Sequence, residues 1–204
     1  MTKPIVKLVS EWAAFEESHP GADIPAFCRY ILSRPDNKPT RPRTENLGLL
    51  SRIIGRLASA YGLYHRAAME GMKLPASDSF FYLNCLHQLG EVRKTELINY
   101  LFAETTTGME GIGKLIRAGL VKERPDPEDG RAKLVTITDK GLRKLKECMS
   151  NALKVNEMVF RHLSDDTIYT CIQLLASAEA THSRRSIELK QKPFPEMYRE
   201  MMAE

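Results

Sequence analysis

The sequence predicts a mainly α-helical protein that contains one small β-hairpin. Apolar residues recur at intervals of three and four over most of the 204 residues, and the long intervals between prolines carry this helical periodicity. Only residues 120–138 combine β-branched residues with partial alternation, which is typical of two short strands. Hydrophobic residues make up 43% of the chain and charged residues 27%, so a fibrous or mainly disordered protein is excluded.

The N-terminal part predicts helices on both sides of a linker. Residues 5–32 form two short amphipathic stretches separated by His19-Pro20-Gly21. A Pro-rich, basic run over Ser33–Thr44 predicts a solvated linker, whose cations could also touch phosphates. The apolar periodicity from Glu45 to Gly71 then predicts one long helix.

Three shorter helices are predicted next, over residues 78–89, over about 94–102, and in a segment that ends at Gly119. Thr107-Gly108-Met109-Glu110 has the spacing of a capping box, which predicts the start of the third helix. The hairpin follows, with strands at Leu120–Arg124 and Leu134–Thr138 joined by a long polar tip.

Two long helices complete the predicted order, one after Thr138 and Asp139 and one from Ser164 to about Leu189. Three short helices followed by a hairpin are the elements of a winged helix-turn-helix with a two-stranded β wing. The predicted organisation is a helical extension and linker over 1–44, dimerisation helices over 45–74 and 139–190, the winged helix-turn-helix over 75–138, and a tail over 191–204.

The helix that ends at Gly119 is the predicted recognition helix. We expect Ile112, Leu115 and Ile116 to face the core, with Glu110, Gly111, Lys114 and Arg117 outward. An α-helix fits the major groove, and its first residues meet base edges or phosphates. Two glycines weaken this helix at 111 and 113, and either close approach to DNA or tight helix packing explains them.

Several segments resemble the winged-helix core of MarR-type regulators. They are Lys94-Thr95-Glu96-Leu97-Ile98, Thr106-Thr107-Gly108-Met109-Glu110, Leu115-Ile116-Arg117-Ala118-Gly119-Leu120-Val121, and Asp129-Gly130-Arg131-Ala132-Lys133-Leu134-Val135-Thr136-Ile137-Thr138 followed by Gly141. The resemblance is specific over residues 77–141 and looser over the flanking long helices. It does not extend to residues 1–44 or to the tail after Lys190.

The resemblance implies a homodimeric transcriptional regulator, usually a repressor, that binds a pseudo-palindromic operator and is released by a small-molecule or redox signal. It implies that Arg131 enters the minor groove and that Asp129 orients the wing through Arg131 or neighbouring amides. A narrow minor groove concentrates negative potential, which favours a guanidinium at the wing tip. The expected DNA-binding residues are Thr105, Thr106, Thr107, Gly111, Lys114, Arg117, Arg131 and Lys133.

Two further kinds of site follow from the same comparison. Helix residues that could line an effector pocket are Tyr61, Tyr64, His65, Tyr82 and Cys85, although aromatics at this spacing also suit a core or a dimer contact. Among the four cysteines, Cys28 lies beside Arg29 and is the candidate redox residue.

The sequence gives little support to an enzymatic function. Gly108–Lys114 matches the first seven positions of a P-loop, but Leu115 stands where a Ser or Thr should reach Mg²⁺, and no buried strand precedes the segment. The five histidines lack metal-ligand spacing. We therefore expect no catalytic residue, cofactor or metal. The remaining alternative is a nucleotide-dependent enzyme that uses residues 108–114, and a measurement of ATP binding would decide it.

The charge distribution favours DNA as the partner. The net charge is only +4, but residues 91–146 hold 12 Lys and Arg against 9 Asp and Glu. The predicted recognition face carries few cations. An alternative hypothesis is therefore a winged-helix module that binds protein instead of DNA. No signal peptide, CxxC pair or bilayer-length apolar run is present, so a cytoplasmic protein is expected, with no membrane partner.

Overall fold

The computed structural model describes residues 3–32 and 42–203. Its elements in chain order are α1 Pro4–Ser18, α2 Ile24–Leu32, α3 Arg43–Met69, α4 Ser79–Leu89, β1 Val92–Arg93, α5 Lys94–Tyr100, α6 Thr105–Arg117, β2 Val121–Pro125, β3 Lys133–Ile137, α7 Asp139–Phe160, α8 Asp165–Leu189 and α9 Phe194–Met202. The predicted mainly helical class with a small wing is confirmed. The predicted linker lies for the most part outside the described residues.

The described chain divides into two compact units between Leu57 and Ala58, a point inside α3. In the first unit, aromatic rings join α1 to α2. The ring centroids of Trp12 and Phe27 are 5.0 Å apart, and those of Phe15 and Phe27 are 5.4 Å apart. Phe15 and Phe27 are buried, so each of the two predicted amphipathic stretches supplies a helix with one buried aromatic residue.

The second unit contains the winged domain, built around one apolar core. Its least exposed side chains come from α4, α5, α6, β2, β3 and α7, namely Leu83, Leu86, Leu97, Ile98, Ile112, Leu115, Val121, Val135, Leu145 and Cys148. On α4, α6 and α7 the two named positions are three residues apart, which places them on one face of each helix, and each of β2 and β3 supplies one residue. The core therefore accounts for the periodicities seen in the sequence.

The sheet has three antiparallel strands in the order β1-β3-β2. In the hairpin, Val121 faces Ile137 and Pro125 faces Lys133. The predicted hairpin is confirmed, but β1 was not predicted. It contains only Val92 and Arg93, which is too short for alternation to be recognised.

The predicted capping box at Thr107–Glu110 is wrong. The N-cap position is Glu104, three residues before Thr107, and α6 begins at Thr105, because the amide of Gly108 already donates to the carbonyl of Glu104 at 2.8 Å. Both members of the supposed box therefore lie inside the helix. A helix, α9, also forms in the tail, where the sequence predicted none.

The junction between the wing and α7 requires a glycine. The Thr138 hydroxyl donates to the Gly119 carbonyl at 2.8 Å and accepts the amide of Gly141 at 3.1 Å, which caps α7. A Cβ atom on Gly141 would lie 2.1 Å from the carbonyl oxygen of Leu120. Gly141 thus allows α7 to begin directly against the end of the recognition-helix segment.

A second close approach holds α5 against α6. A Cβ atom on Gly108 would lie 2.6 Å from Cγ1 of Ile98, a side chain that is itself only 1% exposed. At Gly113, on the same helix, the nearest atom is the mobile end of Arg117 at 3.3 Å. The first glycine therefore serves packing, whereas the second has room for a side chain.

We predict opposite effects of alanine at these two glycines. Gly108→Ala should lower the free energy of unfolding by about 1–2 kcal/mol, because overpacking against Ile98 outweighs the gain in helix propensity. Gly113→Ala should raise it by up to about 1 kcal/mol, since it gains the propensity alone. Urea unfolding of both variants at one protein concentration measures the difference, and stabilisation by Gly108→Ala would contradict the packing role.

Candidate nucleic-acid interface

Helix α6 presents one face to the core and one to solvent. Ile112 and Leu115 are buried, while Thr105, Thr106 and Thr107 are exposed in the first turn. Met109, Glu110 and Arg117 are also exposed. This arrangement places hydroxyl, methyl and guanidinium groups along one accessible side of a helix that could enter a groove.

The expectation that Gly111 faces outward is wrong. Gly111 is buried, and a Cβ atom there would lie 3.4 Å from the ring of Tyr82. At 100° per residue, position 111 lies with 108, 112 and 115 on the inner side of the helix. Tight helix packing is therefore the correct explanation for Gly111, and its position gives a DNA-contact role no support.

Many cations of the winged domain already have acidic partners. Lys114 lies 2.8 Å from Glu110 on the next turn, and its hydrogen bond lowers the pKa of the Glu110 carboxyl. Arg124 pairs with Glu91, Lys94 pairs with Glu123, and the hydrogen bonds lower the pKa of both carboxyls. Two of these three pairs join the start of the helix-turn-helix to strand β2. These ion pairs lower the positive electrostatic potential that the domain presents to a phosphate.

The remaining basic residues define the accessible positive charge. In residues 3–32 and 42–203, Arg117, Arg131 and Lys133 form no ion pair, and all three are exposed. All three belong to the predicted DNA-binding set. After pairing, exposed positive charge therefore remains at the end of α6 and on the wing, and also on Lys122 of β2 and on Lys140, Arg143 and Lys146 in the first turns of α7.

The wing loop, residues 126–132, is internally hydrogen-bonded. The Asp129 carboxylate accepts the backbone amide of Arg131 at 3.0 Å, which agrees with the expected orienting contact to Arg131 or a neighbouring amide. Asp126 was not predicted as a site residue. Its side chain is only 4% exposed, and the Glu128 amide together with Arg93 lowers the pKa of its carboxyl.

The five residues predicted to line an effector pocket do not line one cavity. His65, Tyr82 and Cys85 are buried, and Tyr64 borders a cavity of about 410 Å³ between α3 and α7 whose lining includes none of the other four. A larger cavity of about 620 Å³ lies at the end of α3. Its lining is Leu63, Arg66, Ala67, Met69, Glu70, Gly71, Lys73, Leu74, Ala76 and Ser77.

The cysteines separate by exposure. Cys28 and Cys171 are exposed, whereas Cys85 and Cys148 are buried. Burial raises the pKa of the Cys85 thiol to about 11, which disfavours its reactive thiolate. The candidate redox residue Cys28 is thus accessible, while a redox role for it stays a prediction.

The apparent P-loop has no phosphate-binding geometry. Gly108–Lys114 lies entirely within α6, where the amides are used by the helix, and the preceding element is the helix α5. Within the described ranges, no group of three or more His, Cys, Asp or Glu could hold a metal ion. Nor does any helix there have the length and apolar character to cross a membrane.

Comparisons with known proteins identify the class of fold. Residues 80–141 match a family model described as a winged helix DNA-binding domain. No curated protein sequence matches the chain.

Solved structures extend the likeness beyond that domain. A mutant MarR from E. coli, complexed with operator DNA, has 18% identity and a TM-score of 0.59, and the match covers 68% of this chain and 99% of that one. A MarR protein from Peptoclostridium difficile has 24% identity and a TM-score of 0.62 over 69% and 91% of the two chains.

A third similar structure is Bordetella bronchiseptica BpsR, whose DNA binding is described as regulated by 6-hydroxynicotinic acid. It has 20% identity and a TM-score of 0.58, and the match covers 64% of this chain and 98% of that one. These likenesses show that the chain has the fold of MarR-type regulators, and they confirm the resemblance at that level. About a third of the chain lies outside each of the matches.

His65, one of the predicted pocket residues, has instead the environment of a buried neutral base. Its ring stacks on Phe81 at 4.4 Å and lies 5.0 Å from Phe80. Its Nε2 atom has no hydrogen-bond partner among the described residues. Burial lowers the pKa of His65, because the apolar surroundings disfavour the imidazolium.

We predict that His65 makes stability depend on pH near neutrality. Because the folded-state pKa is below the unfolded value of about 6.5, the unfolded chain takes up the proton first as pH falls. The free energy of unfolding should therefore decrease below about pH 6.5, by at most about 1.4 kcal/mol per pH unit. Urea unfolding between pH 7.5 and 5 should show this slope in the wild type and in His162→Phe, an exposed control, but not in His65→Phe. An unchanged slope in His65→Phe would refute the assignment.

Proposed function

We propose that the protein is a homodimeric, DNA-binding transcriptional regulator of the MarR type. The observation that carries the proposal is a winged helix with the accessible cations Arg117, Arg131 and Lys133 on the two elements that such domains direct at DNA. The likeness to a MarR structure in complex with operator DNA supports it.

In this proposal, α6 enters the major groove with its N-terminal turn leading. The hydroxyls of Thr105, Thr106 and Thr107 donate to phosphates or base edges, and their methyl groups suit thymine. The paired Lys114 and exposed Arg117 follow along the helix, while Arg131 reaches the adjacent minor groove and Lys133 contacts the backbone.

The exposed apolar surface of α8 supports a homodimer. Tyr169, Ile172 and Leu175 lie within two turns of this helix, and each is 48–65% exposed. Apolar patches of this kind on a globular protein usually mark an interaction surface. A second copy of the same helix, related by two-fold symmetry, would cover the patch and set two recognition helices about 10 base pairs apart.

We propose that a small molecule or a redox signal releases the protein from its operator, so that it acts as a repressor. An effector would act by binding more tightly to a dimer in which the recognition helices are wrongly spaced. The 620 Å³ cavity at the end of α3 has the size of a small-molecule site and carries Arg66 and Lys73. Cys28 is the accessible thiol for the redox alternative.

A second candidate is a winged-helix module that binds protein without sequence-specific DNA contacts. It is favoured by the pairing of Arg93, Lys94, Lys114 and Arg124 with carboxylates, which leaves a modest basic surface. DNA binding that is insensitive to every cation in residues 114–133 would favour this candidate.

We predict that Arg131→Ala weakens DNA binding. The probe is a duplex of about 30 base pairs selected by the wild type from a random pool, long enough for two half-sites. The dissociation constant should rise about tenfold or more, and the salt dependence should flatten by about one unit per wing, because one minor-groove contact is lost from each subunit.

The matched control is Arg184→Ala, which removes an exposed cation from α8. It should leave both quantities near their wild-type values. Equal behaviour of the two variants would contradict the assignment of the wing to DNA.

We predict that Ile172→Glu disrupts the dimer. A charge buried at a two-fold interface meets its own copy and should cost about 2 kcal/mol or more of association free energy. Ser177→Glu places the same charge on the polar side of α8 and should have little effect. Sedimentation at micromolar concentrations distinguishes the two, and a dimeric Ile172→Glu would refute the use of this surface.

A further inference from the structure

The wing loop is fastened at its base to the segment that begins α5. The amide of Asp126 donates to the carbonyl of Ala132 at 3.1 Å, which closes the loop. The Asp126 carboxylate accepts Nε of Arg93 at 2.6 Å through one oxygen and the amide of Glu128 at 2.9 Å through the other. The Asp126 side chain is nearly buried, whereas Arg93 remains about one-third exposed.

Arg93 belongs to the helix-turn-helix rather than to the wing. It is the last residue of β1, lies directly before α5, and pairs with Leu134 of the central strand. Helix α5 in turn packs against α6 through Ile98 and Gly108. The contact between Arg93 and Asp126 therefore connects the loop that carries Arg131 to the body that carries the recognition helix.

We infer that Arg93 and Asp126 are positioning residues for DNA binding. Their ion pair holds the wing loop so that Arg131 is presented at a fixed place relative to α6. A ligand that must engage both elements at once binds more tightly when they are ordered beforehand, since less conformational entropy is lost on binding. The inference rests on the proposed DNA-binding function and assigns a role to two residues that need not touch DNA.

Electrostatics alone predicts the opposite result for one variant. Asp126→Asn removes a negative charge from the domain, which should strengthen binding to a polyanion if the residue acts only through its charge. A positioning role predicts weaker binding, because the loop loses its fastening. Glu128→Gln is the matched control: it makes the same charge change two residues away, in a carboxylate that is 86% exposed and lies 3.9 Å from Arg93. It removes charge beside the same guanidinium and leaves the buried hydrogen bonds of Asp126 in place.

The experiment measures binding of the same selected duplex by fluorescence anisotropy. Asp126→Asn should bind about tenfold more weakly than Glu128→Gln, whose affinity should equal or slightly exceed that of the wild type. Adding Arg131→Ala to Asp126→Asn should cost much less than it costs in the wild type, because Arg131 is already misplaced. Arg93→Gln should reproduce the loss, and the double variant of Arg93 and Asp126 should be no worse than either single one.

Binding by Asp126→Asn that is as tight as that of Glu128→Gln, with the full cost of Arg131→Ala retained, overturns the inference. Amide exchange in the DNA-free protein tests the fastening independently. The Glu128 and Arg131 amides, which donate to Asp126 and Asp129, should lose protection in Asp126→Asn but not in Glu128→Gln.

Unchanged amide protection overturns the inference whatever the DNA result. A wild type that selects no duplex overturns the proposed function instead, so the two failures are distinguishable. Circular dichroism verifies folding, and if Asp126→Asn fails to fold, Arg93→Lys supplies the comparison, because it keeps the positive charge but lacks the guanidinium that donates to Asp126.

Discussion

The close packing of α5 against α6 is the constraint on which the winged domain depends. Gly108 allows the recognition helix to pack closely against Ile98. Ile112 and Leu115 of the same helix are buried in one core with Val135 of the central strand. The orientation of α6 therefore fixes which threonines face solvent. It also fixes where the following strand begins, because Gly119 and Leu120 are held by the Thr138 cap of α7. Helix, sheet and α7 thus share one network of contacts.

Electrostatics in this domain serves both structure and recognition. Cations at the start of the helix-turn-helix and on β2 are matched with carboxylates from the other element, as in the pairs Lys94–Glu123 and Arg124–Glu91. Such partly exposed pairs stabilise the fold only modestly, but they set which cations remain for a ligand. The cations that remain unpaired and exposed include Arg117 at the end of α6, Arg131 and Lys133 on the wing, and three residues in the first turns of α7. A net charge of +4 for the chain describes this poorly.

The long helix α8 has an unusual balance of burial. Of its residues only Leu189 is buried, while several large apolar side chains remain exposed. At its end, the Lys190 ammonium donates to the carbonyl of Ala103, the residue between α5 and α6, at 2.9 Å. In the proposed dimer, the helix that contacts the second copy is thereby also bonded to the turn before the recognition helix. This contact gives a physical route by which the arrangement of a dimer could influence α6.

The sequence by itself determined the order and type of nearly all the elements, the hairpin, and the position of Arg131 on the wing. These features follow from local periodicity, turn residues and a local motif. Only the tertiary structure decided that Gly111 faces Tyr82, that His65 belongs to the core, and that Asp126 holds Arg93 across 33 residues of sequence. Burial and ion pairing join residues that are distant in the chain, so these contacts cannot be predicted from a local sequence pattern. Strand β1 was not predicted for a related reason: its two residues form a strand only because β3 supplies their hydrogen-bond partners.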